Sequence, residues 1–259
     1  MKNLLKEKLM NGNYALGGFL SIGSPAIVEV VAIGGLDFVV IDTEHGEPNF
    51  ESIINMCRTA EAHGITALAR VTDYDHKLIG RYLDNGMHGI QVPMVETAEM
   101  AQKVVSSAKY PPLGNRGMSL GRSSKWGHVS DYFNTANHEQ MTVCMCETKL
   151  GIDNIEEIVR TPNLDVVFVG TGDLSLSMGY PGQIDHPEVS EAIDHVLRAC
   201  KNSGVIPGIV TNGLDAAIKR IEQGFLYVTI FNVMNLLCKE TEKITGKIHG
   251  SITMAGGAK

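Results

Sequence analysis

A regular alternation constrains this chain more than any other feature. Short apolar runs recur from Ala15 to Phe231, and the amphipathic stretches between them mostly end at glycine. Ala15–Gly23, Phe38–Ile41, Thr66–Val71, Gly89–Val95, Met141–Thr148, Val166–Gly170, Ile206–Val210 and Leu226–Phe231 read as strands. Unbroken apolar runs of this length mark strands buried on both faces, as in a parallel sheet. Ile27–Ile33, Asn49–His63, Asp75–Asn85, Ala98–Ala108, Ile152–Arg160, Pro187–Ser203 and Leu214–Gln223 read as the intervening helices, with a last helix to about Thr245. Eight strand–helix units within 259 residues predict an α/β fold closed into a (β/α)8 TIM barrel. No Gly-x-Gly-x-x-Gly follows the first strand, which disfavours a dinucleotide fold. One barrel domain is expected over residues 1–250, with 251–259 a flexible C-terminal tail. Asn3–Asn11 is expected to be a short helix covering the bottom of the barrel. Lys109–Glu139 and Thr171–His186 interrupt the rhythm and read as long polar loops, which in a compact domain usually carry function.

A net charge of −7 without a basic tract excludes a nucleic-acid footprint. It also means that an anionic substrate must find local cations, so a single arginine at a strand end matters. The five cysteines are odd in number and include no Cys-x-x-Cys, so neither a disulfide framework nor a zinc site is suggested. Met1–Leu16 has no signal-peptide pattern and no apolar run approaches 18 residues; the expectation is a cytoplasmic protein with no membrane partner.

In a β/α barrel, chemistry gathers at the carboxyl ends of the strands. The second strand ends in Asp42, Glu44 and His45, the third in Arg70, the fourth in Gln91 and Pro93, the fifth in Glu147, and the sixth in Gly170-Thr-Gly-Asp173. Glu147 and Asp173 follow successive strands, and two hard oxygen ligands with room for water and substrate describe a Mg²⁺ or Mn²⁺ site. Arg70 is placed to polarise a carbonyl or hold an enolate. His45 and Asp42 read as a base and its orienter. The blander alternatives are that Asp42 bonds nearby backbone at a capped turn, Glu147 pairs with Lys149, and Asp173 caps the turn into Leu174-Ser175. No strand carries a lysine, which argues against Schiff-base chemistry.

Asp42-Thr-Glu-His45-Gly, Arg70, Leu83-Asp84-Asn-Gly86, Val92-Pro-Met-Val95, Tyr110-Pro-Pro, Arg116-Gly117, Glu147-Thr148 and the run from Gly170 to Gly179 occur together over nearly the whole chain. In these the chain resembles the metal-dependent class II pyruvate aldolases of the 4-hydroxy-2-oxoheptanedioate aldolase type, within the aldolase/citrate lyase superfamily. The resemblance implies a phosphoenolpyruvate/pyruvate-type barrel and reversible cleavage of a 4-hydroxy-2-oxo acid to pyruvate and an aldehyde through a metal-bound pyruvate enolate. It implies that Glu147 and Asp173 hold Mg²⁺, Mn²⁺ or Co²⁺ and that His45 and Asp42 act as a base dyad through water. Arg70 would stabilise the enolate, and the Gly172 and Asp173 amides would hold the carboxylate. It further implies a homo-hexamer, a trimer of dimers with exchanged C-terminal helices, in which Asp84 of a neighbouring subunit approaches the site.

Three departures stand out. Met145 occupies a position that is usually Gln, Phe231-Asn232-Val233 follows the eighth strand, and the stretch from Arg116 to Trp126 differs from the usual aldehyde-side loop. They leave a second reaction open, decarboxylation of oxaloacetate on the same enolate machinery. A non-catalytic barrel has no need of Asp42, His45, Arg70, Glu147 and Asp173 together.

Overall fold

The computed structural model describes residues 2–256. Eight parallel strands close into a barrel in sequence order: β1 (Ala15–Leu20), β2 (Phe38–Asp42), β3 (Thr66–Arg70), β4 (Gly89–Val92), β5 (Met141–Met145), β6 (Val166–Val169), β7 (Ile206–Val210) and β8 (Tyr227–Asn232). β1 pairs with both β2 and β8, so the expected TIM barrel has no open edge. The helices are α1 (Leu4–Met10), α2 (Pro25–Ile33), α3 (Phe50–Ala62), α4 (His76–Asp84), α5 (Ala98–Ala108), α6 (Tyr132–Glu139), α7 (Lys149–Asp153), α8 (Ile155–Ile158), α9 (Thr171–Ser177), α10 (Pro187–Ser203), α11 (Leu214–Gln223) and α12 (Val233–Gly256). None of them is long and apolar enough to cross a membrane.

The pleat divides each strand between two cores. Phe38, Val40, Leu68, Val143, Met145, Phe168 and Tyr227 point inward and fill the barrel axis. Val39, Ile41, Ala67, Ala69, Cys144 and Val167 face outward and pack under the helices. Continued by one step of two, the inward series places Asp42, Arg70 and Glu147 at the carboxyl-end mouth. Leu5 and Leu9 of α1 pack into the interior cluster from the other end, and the Leu5 N–H donates to Thr66 Oγ1 at 3.2 Å. α1 therefore plugs the bottom of the barrel, as expected.

The structure corrects three local expectations. Thr171–Ser177, read as loop, is α9: the buried Leu174 anchors it, and Asp173 lies in its first turn, where a negative charge favours the helix dipole. The Lys109–Glu139 segment contains a 3₁₀ turn at Arg122–Ser124 and α6, whose Tyr132 and Phe133 pack edge-on against Tyr110. α12 continues through Gly246 and Gly250 to Gly256, so residues 251–256 extend a helix where a tail was expected. An interior helix glycine costs only about 1 kcal/mol, too little to stop a helix of this length. Residues 257–259 lie outside the described residues.

Candidate active site

Asp42 and Arg70 are opposite one another in the β2–β3 register and close a two-point ion pair. Arg70 Nε donates to Asp42 Oδ1 at 2.9 Å and Nη2 to Oδ2 at 2.7 Å. Burial pushes the Asp42 carboxyl up, but hydrogen bonding and charge from Arg70, helped by the His45 and Glu44 N–H groups, hold it below the usual carboxylate range. Burial likewise opposes the Arg70 charge, and the surrounding carboxylates more than restore it. The Phe19 ring lies 4.9 Å below the guanidinium carbon. Arg70 is thus a fixed cation in the mouth, pre-oriented on two sides.

Glu147 sits two residues past the end of β5 and is almost fully buried. Its Oε1 accepts the Met94 N–H at 2.9 Å. Met94 adopts φ 55°, a left-handed conformation unusual for a side-chain-bearing residue, just past the end of β4, and contributes this donor. Oε2 is buried with no hydrogen-bond partner among the described residues. Burial pushes the Glu147 carboxyl up to about 7; the Met94 N–H opposes this, while the charges of Asp173 and Glu44 add to it. A buried carboxylate oxygen without a donor, next to further carboxylates, fits a bound cation. Gly170 makes room for it, since a Cβ there would run into Glu147 Oε2. Asp173 is exposed in the first turn of α9, and the Thr171, Gly172 and Asp173 N–H groups precede the first intrahelical bond, from Leu174 to Gly170. A Cβ added at Gly172 would meet open space.

His45 and Asp42 are not arranged as a side-chain dyad. Asp42 Oδ1 accepts the backbone N–H groups of Glu44 at 3.1 Å and His45 at 3.2 Å, and both of its oxygens are taken by Arg70. The His45 imidazole is largely exposed, with Nε2 3.7 Å from Glu44 Oε2. Glu44 in turn lies 3.2 Å from Arg70 Nη1. Asp84 ends α4, whose C-terminus lies at the opposite end of the barrel from the strand termini, and it accepts from Arg116 at 2.6 Å. It takes no part in this chain's own mouth. Sequence reasoning missed the Met94 N–H, the Phe19 ring and the pairing of Glu44 with Arg70.

Two other features are occupied by the chain itself. Cys57, Glu61 and His88 cluster closely enough to share a metal, but Arg122 donates to Glu61 through both terminal nitrogens and fills that cation position. A groove of about 590 Å³ runs past Lys6, Lys109 and Asp165. There the Lys109 ammonium is consumed by the Asn137 and Gln140 carbonyls, and Lys6 by Asp165.

The family model described as HpcH/HpaI aldolase/citrate lyase matches residues 16–232, a span that holds all eight strands but for Ala15 and every mouth residue named above. The chain belongs to the HpcH/HpaI aldolase/citrate lyase family. It is 35% identical to a 4-hydroxy-2-oxovalerate aldolase of Rhodococcus jostii over 95% of both chains. It is 32% identical to a 4-hydroxy-2-oxo-heptane-1,7-dioate aldolase of Shigella flexneri over 98% of this chain and 97% of that one. An HpcH/HpaI family protein from Burkholderia cenocepacia shares the fold with a TM-score of 0.91, at 31% identity over 96% of this chain and 100% of that one. As an HpcH/HpaI family member the chain is an enzyme, a lyase of the aldolase type.

Proposed function

We propose that this chain is a divalent-metal-dependent aldolase that reversibly cleaves a 4-hydroxy-2-oxo acid to pyruvate and an aldehyde. The observation that carries the reading is the partnerless buried oxygen of Glu147, in the same mouth as a guanidinium fixed by Asp42. Glu147 and Asp173 would hold Mg²⁺, Mn²⁺ or Co²⁺. Bound there, the cation would supply Lewis-acid stabilisation of a developing enolate.

The chain's own groups account for the remaining steps. The Gly172 and Asp173 amides at the start of α9 receive the carboxylate of the 2-oxo acid. Arg70 donates to the C2 oxygen, where negative charge develops. His45, at the exposed rim, takes the proton of the 4-hydroxyl, directly or through one water. The C3–C4 bond then breaks, its electron pair becomes the pyruvate enolate, and the C4 fragment leaves as the aldehyde. A proton delivered to C3 completes pyruvate. In a homo-hexamer with exchanged C-terminal helices, Asp84 of a neighbouring subunit would reach this site; the exposed Leu237, Ile244 and Ile248 along α12 support such an assembly.

His45→Ala separates this reading from oxaloacetate decarboxylation, which needs no base for a hydroxyl proton. Aldol cleavage should fall by about 10²–10⁴-fold, and decarboxylation of oxaloacetate much less, both measured at saturating metal after folding is confirmed. Equal losses would make His45 an organiser of the site; an unaffected cleavage rate would remove it from the reaction.

A further inference from the structure

Arg70 is engaged on both sides before any substrate arrives. Asp42 holds its Nε–Nη2 edge at 2.9 and 2.7 Å, and Nη1 lies 3.2 Å from Glu44 Oε2. Nη1 meets Glu44 as an ion pair without a hydrogen bond, so the oxygen of a 2-oxo acid that takes the Nη1 hydrogens competes with Glu44 for the charge of the guanidinium. The two carboxylates differ sharply in how firmly they are held. Asp42 binds through both oxygens, its side chain is 1% exposed, and its Oδ1 also accepts two backbone N–H groups. Glu44 reaches Arg70 through one oxygen over a longer distance and keeps 19% of its side chain accessible.

A second position for Glu44 is already at hand. Its Oε2 is 3.7 Å from Nε2 of the His45 imidazole, which faces solvent with 65% of its surface exposed. Charge favours the move. Asp42, Glu44 and Glu147 all act on one arginine, and of the two that pair with it directly Glu44 is the one held loosely enough to yield to a substrate oxygen.

We propose that Glu44 is an exchangeable counter-ion, which rests on Arg70 Nη1, yields that nitrogen to the oxygen of an incoming 2-oxo acid, and turns onto His45. Binding of the acid then gives the imidazole sole claim on a Glu44 oxygen that until then lies between Arg70 and His45, a carboxylate partner that Asp42, locked on Arg70, does not provide. Glu44 is a positioning residue, acting through Arg70 and His45. The charged groups in contact with His45 are Glu44, whose Oε2 lies 3.7 Å from the imidazole, and Asp42, which accepts the His45 backbone N–H. The inference rests on the 2-oxo acid reading above.

The test uses full-length protein loaded with Mg²⁺, and pyruvate as the probe. The His45 imidazole, identified by its loss in H45N, is titrated by NMR with and without saturating pyruvate, and pyruvate affinity is measured by calorimetry. Pyruvate should raise the His45 midpoint in the wild type by at least ~0.3 pH units more than in E44Q, which keeps only the effect of pyruvate's own charge. E44Q should also bind pyruvate about two- to fivefold tighter, the strength of a partly exposed ion pair released from competition. E44D, with the charge on a shorter arm, should lose the extra shift too and serves if E44Q does not fold. Equal shifts in wild type and E44Q, or weaker pyruvate binding by E44Q, would overturn the exchange while leaving the aldolase reading intact. Failure of wild-type protein to bind pyruvate would overturn that reading, and the inference with it.

Discussion

Asp42 and Arg70 end neighbouring strands in register and meet through two hydrogen bonds of 2.9 and 2.7 Å, one on each carboxylate oxygen. The barrel thereby fixes its mouth cation by the same pairing that holds β2 beside β3. The carboxylate that serves Arg70 is unavailable to His45, and this separates the oxyanion-stabilising side of the site from the base side.

Asp42→Asn should therefore damage stability as well as activity. Breaking a buried pair by removing one partner costs about 3–5 kcal/mol, and the remaining contact to Glu44 should hold the loss toward the lower end. Because the folded-state pKa of Asp42 is depressed, the pair's contribution is complete above the ordinary carboxylate range and disappears as pH falls through the folded value. Denaturant melts should show the variant far less stable than wild type at pH 7, with the gap narrowing as the pH is lowered below the ordinary carboxylate range. A variant as stable as wild type at pH 7 would contradict this.

Glu147 carries the opposite sign. Its pKa is raised to about 7, so in metal-free protein its contribution to stability is complete below the unfolded carboxylate value and is lost as pH rises through about 7. A cation needs the ionised form, so Mn²⁺ binding below pH 7 should release a proton and weaken by up to about tenfold per pH unit. Calorimetry at pH 6, 7 and 8 measures both effects. Glu147→Gln should lose the cation yet leave metal-free protein at pH 8 at least as stable as wild type. Affinity independent of pH over this range would remove Glu147 from the metal site.

Two glycines of the same turn should behave differently. Gly170→Ala drives a Cβ into Glu147 Oε2, while its φ of −82° suits alanine, so the carboxylate is displaced and the backbone is not strained. Metal affinity should drop about 10–100-fold, the usual result of disturbing a ligand's support, with little change in melting temperature. Gly172→Ala places its Cβ in open space and should keep metal affinity while raising KM for the 2-oxo acid. Equal metal affinity in the two variants would contradict the placement of the cation against Gly170.

The barrel was legible because buried parallel strands are continuous apolar runs, and the ends of those runs named Asp42, Arg70, Glu147 and Asp173 in advance. Partnership was not legible. His45 is three residues from Asp42 in sequence, yet Asp42 points inward at the end of β2, where the register puts Arg70 beside it. That choice depends on which strands are neighbours and in what register, information no local motif contains. α9 was hidden because Thr-Gly-Asp-Leu-Ser has weak intrinsic helix preference, and tertiary burial of Leu174 overrides it. Gly246 and Gly250 misled in the other direction, resembling stops inside a helix that continues past them.

Whether this mouth makes an enolate from pyruvate is measured most directly by exchange of pyruvate C3 protons in D2O, followed by NMR without any aldehyde. Wild-type protein with Mg²⁺, Mn²⁺ or Co²⁺ should catalyse the exchange, lose it on chelation and regain it when metal is returned. Arg70→Lys should reduce it by about 10²–10³-fold, because a flexible ammonium cannot replace a planar guanidinium held by Asp42. Full exchange in chelated protein, or near-normal exchange in Arg70→Lys, would contradict the account.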